Sequence, residues 1–227
     1  MRFLPCKEIR AILQPTFYPC FAFKGNCESM RWLPQVGHVP RGFLGATGKR
    51  NEVELVLIVA EPGNPYSATP GEHYGTEHFR PGSSPEELLR GVCRFTYTCF
   101  RDHTDPFHAN VRSILDACWP KLSFDERLRY SWITESVLCS AKGGAGTNVP
   151  AIVERTCGED YLKQQLELFP KATIAALGGK AQARLRRLGV KRPFLCCGSV
   201  APPGCWQPKV RHSWRQICRA VHATKYR

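Results

Sequence analysis

Two cysteines, Cys139 and Cys157, stand where an apolar run ends and where the next helix is predicted to begin. They belong to twelve cysteines in 227 residues. The opening MRFLPCKEIRAILQPTF carries no signal-like apolar core, so we expect a reducing, cytoplasmic compartment. There, clustered cysteines more often bind a metal or a metal cluster than form disulfides. Seven others can equally be small buried side chains: Cys93, Cys99, Cys118, Cys196, Cys197, Cys205 and Cys218.

Two acidic residues accompany apolar runs of strand length. Glu61 follows Val53–Ala60 and precedes Pro62-Gly63, and Glu135 lies inside Trp132–Cys139. A carboxylate at the end of a buried strand can accept a proton from water. In the simpler alternative, Glu61 only caps the following turn through backbone N–H groups.

The elements that must position these residues alternate between strand and helix. Further strands are predicted at Ala172–Leu177 and Phe194–Cys197, and helices at Pro85–Phe100 and Asn110–Trp119. This order predicts a single domain, a three-layer α/β/α sandwich with a mostly parallel sheet. Residues 1–50 are expected to form a loop-rich cover. In such sheets the site lies beyond the carboxyl ends of the strands, which places Glu61 and Glu135 at one edge.

Charge is distributed unevenly. From Lys171 to Arg227 there are 13 Lys and Arg and no Asp or Glu, whereas the preceding residues hold 19 of each sign. The net charge of +13 therefore lies in residues 171–227. A surplus of this kind favours a polyanion, and its interleaving with Trp206, Trp214 and Tyr226 favours nucleic acid over a solvated basic surface.

The segment WITESVLCSAKGG, followed by ERTCGEDYLKQQLELFPKATIAALGG, resembles the branch of the uracil-DNA glycosylase superfamily that carries an iron–sulfur cluster. The branch has a strand ending in cysteine, a loop, a cysteine opening a helix, and then a P-K-hydrophobic-L-G pattern. The matching residues are Cys139, Cys157, Pro170, Lys171, Leu177 and Gly178. The resemblance extends from Val53 to about Leu188 and implies the fold of that superfamily.

The resemblance also implies a four-iron cluster held by four thiolates. Cys139 and Cys157 would supply two of them, and Cys20 and Cys27 the other two, with Cys6 in reserve. Zinc on the same thiolates is the alternative, and free buried cysteines remain a third possibility.

In the superfamily, an acidic or amide residue in the turn after the first strand positions the attacking water, which is the role expected of Glu61. The leading glycine of that turn is replaced here by Val59. A histidine near the C-terminus stabilises the departing base, and His212, followed by Ser213, resembles it. In the simpler alternative, His212 is a surface histidine on a basic helix.

Glu135 stands where that branch has an asparagine that reads the base. Either burial protonates Glu135, or it does not read the base, or the preferred base is not uracil. An extruded base also needs an aromatic face, for which Tyr74 and Phe79 are the candidates. Lys180, Arg184 and Arg187 on one helix, and Arg211, Trp214 and Arg215 after it, are expected to contact DNA, with Trp214 as a wedge.

The implied activity is hydrolysis of the N-glycosidic bond of a flipped, deaminated base, with uracil in DNA as the first expectation. Two alternatives remain open: a glycosylase for a deaminated purine such as hypoxanthine, and a non-catalytic DNA-binding metalloprotein of the same fold. No membrane partner is expected, and the protein is expected to be a monomer.

Overall fold

A computed structural model describes residues 3–23, 27–34, 38–63, 82–103, 105–142 and 147–224. The α-helices in these ranges are α1 Lys7–Leu13, α2 Pro85–Asp102, α3 Pro106–Cys118, α4 Phe124–Tyr130, α5 Ala151–Cys157, α6 Lys163–Leu168, α7 Gly179–Arg187 and α8 Val210–Thr224. The strands are β1 Met30–Arg31, β2 Leu44–Gly45, β3 Leu55–Val59, β4 Ser131–Glu135, β5 Ser140–Ala141, β6 Thr173–Leu177 and β7 Leu195–Cys197. A π-helical turn, Gly158–Leu162, joins α5 to α6.

The central sheet is mostly parallel, as predicted. Its strand order is β2-β4-β3-β6-β7. Strands β4, β3, β6 and β7 run parallel, and the two-residue β2 pairs antiparallel with β4 at the edge. The short strands β1 and β5 form a separate pair. All four parallel strands therefore end at the same edge.

Helices cover both faces of the sheet, because alternate strand residues enter two different cores. On one face, Val56 and Ile58 pack with residues of α1, α6, α7 and the first half of α2. On the other face, Leu55 and Leu57 pack with residues of α3, α4 and α8. A sheet buried on both faces explains why its strands read as continuous apolar runs.

Several predicted boundaries shift in the structure. Ser84 caps α2 and accepts a hydrogen bond from the Glu87 N–H, as the sequence indicates, but the helix continues to Asp102. Helix α3 begins at Pro106, four residues earlier than predicted, because Asp105 caps it. Strand β4 ends at Glu135, so the prediction that Cys139 ends a strand is wrong.

The N-terminal segment, expected to form a loop-rich cover, contributes side chains to the main core. Ile9, Leu13 and Phe43 are completely buried in the core that α2 also enters. None of the helices in the described ranges is long and apolar enough to cross a membrane.

Candidate active site

A cavity of about 460 Å³ lies at the edge of the sheet where the parallel strands end. We call it the strand-end pocket. Its walls include residues that directly follow or end the strands: Glu61 after β3, Glu135 at the end of β4, Leu177 at the end of β6, and Ser199 after β7. This is the edge at which open parallel sheets generally place their sites. Glu61 and Glu135, expected together from the sequence, do line one cavity.

Glu61 is held in this pocket by two cations from α7. Its Oε1 accepts a hydrogen bond of 2.9 Å from Lys180 Nζ, and its Oε2 lies 2.5 Å from Arg184 Nη2. The Glu61 side chain is only 4% exposed. The carboxylate therefore has a fixed orientation, and its charge is compensated within the protein.

Arg184 is buried, which contradicts the prediction that it contacts DNA phosphates. Its guanidinium donates to Glu154 Oε1 at 2.7 Å and to the Ala60 carbonyl at 2.6 Å, in addition to pairing with Glu61. Residue 184 lies on the same side of α7 as the buried Ala181 and Leu185. Arg184 thus connects α7 to the end of β3 and orients Glu61.

The two other cations predicted on α7 differ from Arg184. Lys180 lines the strand-end pocket, where Nζ also donates to the Thr147 carbonyl at 2.9 Å. Arg187 is 55% exposed and pairs with Glu154. Arg187 alone of these three retains the exposure expected of a phosphate contact.

Glu135 is 4% exposed, and its Oε2 is buried without a hydrogen-bond partner in the part of the chain that the structure describes. Burial raises its pKa well above the ordinary value of 4.5. The negative charge of Glu61 raises the pKa further, while Arg184 and Arg41 oppose these effects only in part. The pocket therefore favours the neutral carboxyl form of Glu135.

Gly42 holds the Glu135 side chain in place. Its φ of +84° is a conformation that favours glycine, and a Cβ there would lie 2.4 Å from Glu135 Cγ. A side chain at residue 42 would therefore displace the carboxyl group from the pocket.

A histidine–aspartate pair that the sequence analysis did not single out also lines the pocket. His108 Nδ1 lies 2.8 Å from Asp105 Oδ2, at the start of α3. Burial raises the pKa of Asp105, but hydrogen bonds from the His108 side chain and backbone outweigh this, and the net shift is downward. The Asp-Pro-x-His sequence at residues 105–108, with the aspartate as the helix cap, could have indicated this pair. It was missed because the helix was predicted to begin at Asn110.

His212 and Trp214 do not reach the strand-end pocket. His212 lies on the exposed face of α8, so the structure does not place it in the predicted catalytic position. Trp214 is 6% exposed, and its Nε1 donates to the Gly198 carbonyl at 3.1 Å, which contradicts a wedge role. The positions of both residues follow from the helical period of α8. Its core-facing side chains are Val210, Trp214, Ile217 and Val221.

The predicted aromatic platform, Tyr74 and Phe79, lies outside the described residues. Among the residues that are described, Phe100 and Phe107 line the strand-end pocket. Phe100 is almost completely buried, whereas Phe107 is partly exposed and packs edge-on against the His108 ring at 5.0 Å. Phe107 is therefore the aromatic surface available to a bound ring.

The four cysteines predicted as metal ligands line one small apolar cavity of about 50 Å³. We call it the cysteine pocket, formed by Cys20, Cys27, Cys139 and Cys157. Its other walls include Met30, Trp32 and Tyr161. Cys6 directly precedes α1 instead and packs against the main core. The four cysteines named from the resemblance therefore share one cavity, and Cys6 does not line it.

Electrostatics in the cysteine pocket oppose free thiolates. Burial raises the pKa of Cys139 to about 12, with the charges of Cys27 and Cys20 adding to the effect. The pKa of Cys157 is raised by burial and by Cys139, Cys20 and Cys27. A cation bound among these sulfur atoms would remove this repulsion, so the donor set fits a thiolate-bound metal centre. Across the described ranges, no three His, Cys, Asp or Glu side chains are already arranged around a metal position.

The basic residues of α8 form an exposed face. Arg211, Arg215 and Arg219 are exposed, whereas the opposite side of the helix enters the core. The start of α8 is tied to the end of β7, because the Gly198 N–H donates to Ser213 Oγ at 2.9 Å. This contact connects the start of α8 to the segment that leads into residues 199–202 of the strand-end pocket, while Arg211 and Arg215 line a separate groove beside α3.

Fold and site together define an α/β protein with a mostly parallel sheet and a pocket lined by both acidic and basic side chains at the carboxyl edge of that sheet. A scan of the chain against protein-family models found no match. A search of curated proteins also found no match.

Proposed function

We propose that the protein is a DNA glycosylase with a uracil-DNA glycosylase-like three-layer fold. It would hydrolyse the N-glycosidic bond of a deaminated base, with uracil as the first candidate. The observation that carries the proposal is the strand-end pocket, where Glu61, Glu135 and the His108–Asp105 pair line one cavity of about 460 Å³. A volume of this size suits a small ligand such as an extruded nucleotide.

The His108–Asp105 pair supplies the proton acceptor for this hydrolysis. When Nδ1–H is donated to Asp105, the neutral ring presents Nε2 as an acceptor. His108 then takes a proton from the attacking water, and the Asp105 carboxylate stabilises the imidazolium that forms. His108 is therefore the histidine of the proposed site, and its role as proton acceptor differs from the stabilisation of the departing base that was expected of His212.

Glu61 orients the water and stabilises the sugar. Arg184 holds Oε2, which is buried, and Oε1 has a second lone pair that can accept from water beside its contact with Lys180. The sugar becomes positively charged as the glycosidic bond breaks, and a nearby carboxylate lowers the energy of that state. Because Arg184 fixes Glu61, little reorganisation is needed during the reaction.

DNA would be held by the exposed basic face of α8 together with Arg187. The contacts of Ser213 and Trp214 with Gly198 attach this face to the loop that borders the pocket. Binding through phosphates at this position brings an extruded nucleotide to the strand ends.

The cysteine pocket would hold a four-iron cluster, with zinc as the alternative. Cys20 and Cys27 belong to the N-terminal segment, and Cys139 lies between β4 and β5. Cys157 is the last residue of α5, not the first residue of a helix as the sequence indicated. A centre bound by all four joins these segments next to β4, and no step of the hydrolysis requires it.

The test is release of base from labelled oligonucleotides containing uracil, hypoxanthine or xanthine, with undamaged DNA as control. Release of one base, abolished in Glu61→Ala and His108→Ala proteins, supports the proposal and identifies the substrate. Salt-sensitive DNA binding without release of any base contradicts it and supports the non-catalytic alternative.

A further inference from the structure

One oxygen of the strand-end pocket has no explained role in the proposed hydrolysis. Oε2 of Glu135 is buried, has no partner among the described residues, and belongs to a side chain that lines the cavity. A buried polar atom without a partner destabilises the folded state, so its retention beside a cavity indicates that a ligand group meets it.

The position of the Glu135 carboxyl is fixed from two sides. Gly42 packs against its Cγ and Oε1, where any side chain would collide. The backbone of Glu135 is in β4, paired in register with Val59 of β3. The carboxyl group therefore cannot turn towards solvent to find a partner without leaving this packing.

We infer that Glu135 recognises its ligand as a neutral carboxyl group, through a ring edge that carries an N–H beside a C=O. The carboxyl O–H donates to the ring carbonyl oxygen, and its C=O accepts from the ring N–H. A neutral carboxyl presents the same pair of groups as an asparagine amide. The inference rests on the proposed function for its substrate class, which it narrows to bases with a lactam edge, such as uracil and hypoxanthine.

The charges around Glu135 are consistent with this state. Burial and Glu61 favour the neutral form, and the two arginines oppose it only in part. The charged and titratable groups that face it or share its cavity come from three elements and the segment before β2: Glu61, Arg184, Lys180, Arg41, Asp105 and His108. An ionised Glu135 would repel the lone pairs of the ring carbonyl, so recognition depends on the proton.

The same O–H has a second consequence for the proposed reaction. When the glycosidic bond breaks, negative charge develops on the ring carbonyl oxygen of the departing base. A donor already directed at that oxygen stabilises the charge as it forms. Glu135 therefore takes over the stabilising role that the sequence analysis gave to His212.

Calorimetric titration of the full chain with free uracil and with 3-methyluracil, over a pH series, tests the inference. The wild type should bind uracil at low pH and lose affinity as the pH rises through the folded pKa of Glu135. Glu135→Gln, which keeps a donor beside an acceptor at every pH, should bind without that loss. Glu135→Met should bind about 10–100-fold more weakly, and 3-methyluracil, which lacks the N–H, should bind weakly to all three proteins.

Two results would overturn the inference: uracil binding to Glu135→Met with wild-type affinity, or the same pH-dependent loss in Glu135→Gln as in the wild type. An infrared difference spectrum between wild type and Glu135→Gln gives an independent reading if the Met variant fails to fold. A protonated carboxyl band at neutral pH supports the inference, and a carboxylate band alone contradicts it.

The same variants separate this inference from the proposed function. If uracil binding depends on Glu135 but no base is released from oligonucleotides, the inference is supported and the proposed glycosylase activity is contradicted. If Glu135→Met releases uracil at the wild-type rate, the glycosylase activity is supported and the inference about Glu135 is contradicted.

Discussion

Arg184 Nη2 lies 2.5 Å from Glu61 Oε2, and both side chains are 4% exposed. The pair joins the second half of α7 to the turn after β3, whose Glu61 lines the strand-end pocket. The second carboxylate on Arg184, Glu154 at 2.7 Å, belongs to α5. One guanidinium therefore sets the relative positions of two helices and a strand end.

Removing this guanidinium should destabilise the protein strongly. Arg184→Gln removes a cation from the buried Glu61 and one of the two arginines that pair with Glu154, and breaking a buried ion pair in this way costs about 3–5 kcal/mol. Arg187→Gln is the matched control, because Arg187 also pairs with Glu154 but is 55% exposed. Arg187→Gln should lower the free energy of unfolding by no more than about 1 kcal/mol. Urea unfolding of both variants measures the difference, and equal costs would contradict the assignment of Arg184 as a buried anchor.

The proposed catalytic role belongs to His108 and not to His212. We expect His108→Ala to lower the rate of base release by about 10²–10⁴-fold, the usual contribution of a general base. His212→Ala, an exposed change on α8, should release base at the wild-type rate. If His212→Ala lowers the rate of base release and His108→Ala does not, the sequence-based prediction of His212 as the catalytic histidine would be supported instead.

Asp105→Asn separates the pair from the helix cap. Asparagine caps a helix as well as aspartate does, so α3 should be retained. The substitution removes the negative charge that stabilises a protonated His108, and we expect at least about tenfold slower base release. Circular dichroism checks the helix, and normal release by this variant would show that Asp105 serves only as a cap.

The sequence was most informative where one local pattern decides the structure. Continuous apolar runs predicted β3, β6 and β7 to within two residues, and Ser84-Pro85 marked the start of α2. Both signals depend on neighbours in the chain, so no tertiary information was needed. The convergence of Glu61 and Glu135 followed from the general rule for parallel sheets.

The side-chain environments were less predictable, because they depend on which face of a helix is buried. Arg184 and Trp214 lie in basic segments that look solvent-exposed by composition. Arg184 lies three residues after the buried Ala181 on α7, and Trp214 lies three residues before the buried Ile217 on α8. This helical spacing places both side chains on the apolar sides of their helices, so considering it would have corrected both predictions. The partners of Arg184, by contrast, lie 30 and 123 residues away in the chain, and no local pattern shows them.

The cysteine pocket should bind a metal centre through all four thiolates. Protein purified without oxygen should contain about four iron and four sulfide per chain and absorb broadly in the visible range. Cys139→Ser should lose metal and colour, whereas Cys93→Ser, a buried cysteine of the main core, should keep them. If the protein is colourless and contains about one zinc per chain, the cysteine pocket binds zinc and not an iron–sulfur cluster. Metal-free wild type would contradict both.

The basic face of α8 should determine how DNA affinity depends on salt. Replacing Arg211 and Arg215 by Gln should weaken binding at all sequences and reduce the slope of log K against log salt by about 0.9 for each phosphate that is no longer neutralised. Arg90→Gln is the control, because Arg90 is a partly exposed residue on α2 that pairs with Glu86. Filter binding at several salt concentrations measures the slopes. Equal slopes for the double variant and the control would place the DNA on another surface.

Stability should fall as the pH rises because of Glu135. Its folded pKa is raised above the unfolded value of about 4.5, so between these two values the folded state holds a proton that the unfolded state has released. The stabilising contribution is therefore complete below the unfolded pKa and is lost as the pH rises through the folded pKa. Glu135→Gln cannot titrate and should lack this component.

Urea unfolding of the wild type and Glu135→Gln over a pH series isolates the effect, because every other titrating group is common to both proteins. We expect the unfolding free energy of the wild type, relative to that of Glu135→Gln, to decrease steadily as the pH rises above the unfolded pKa. A constant difference across the series would show that Glu135 has the same pKa in both states, and the pocket would then hold a carboxylate.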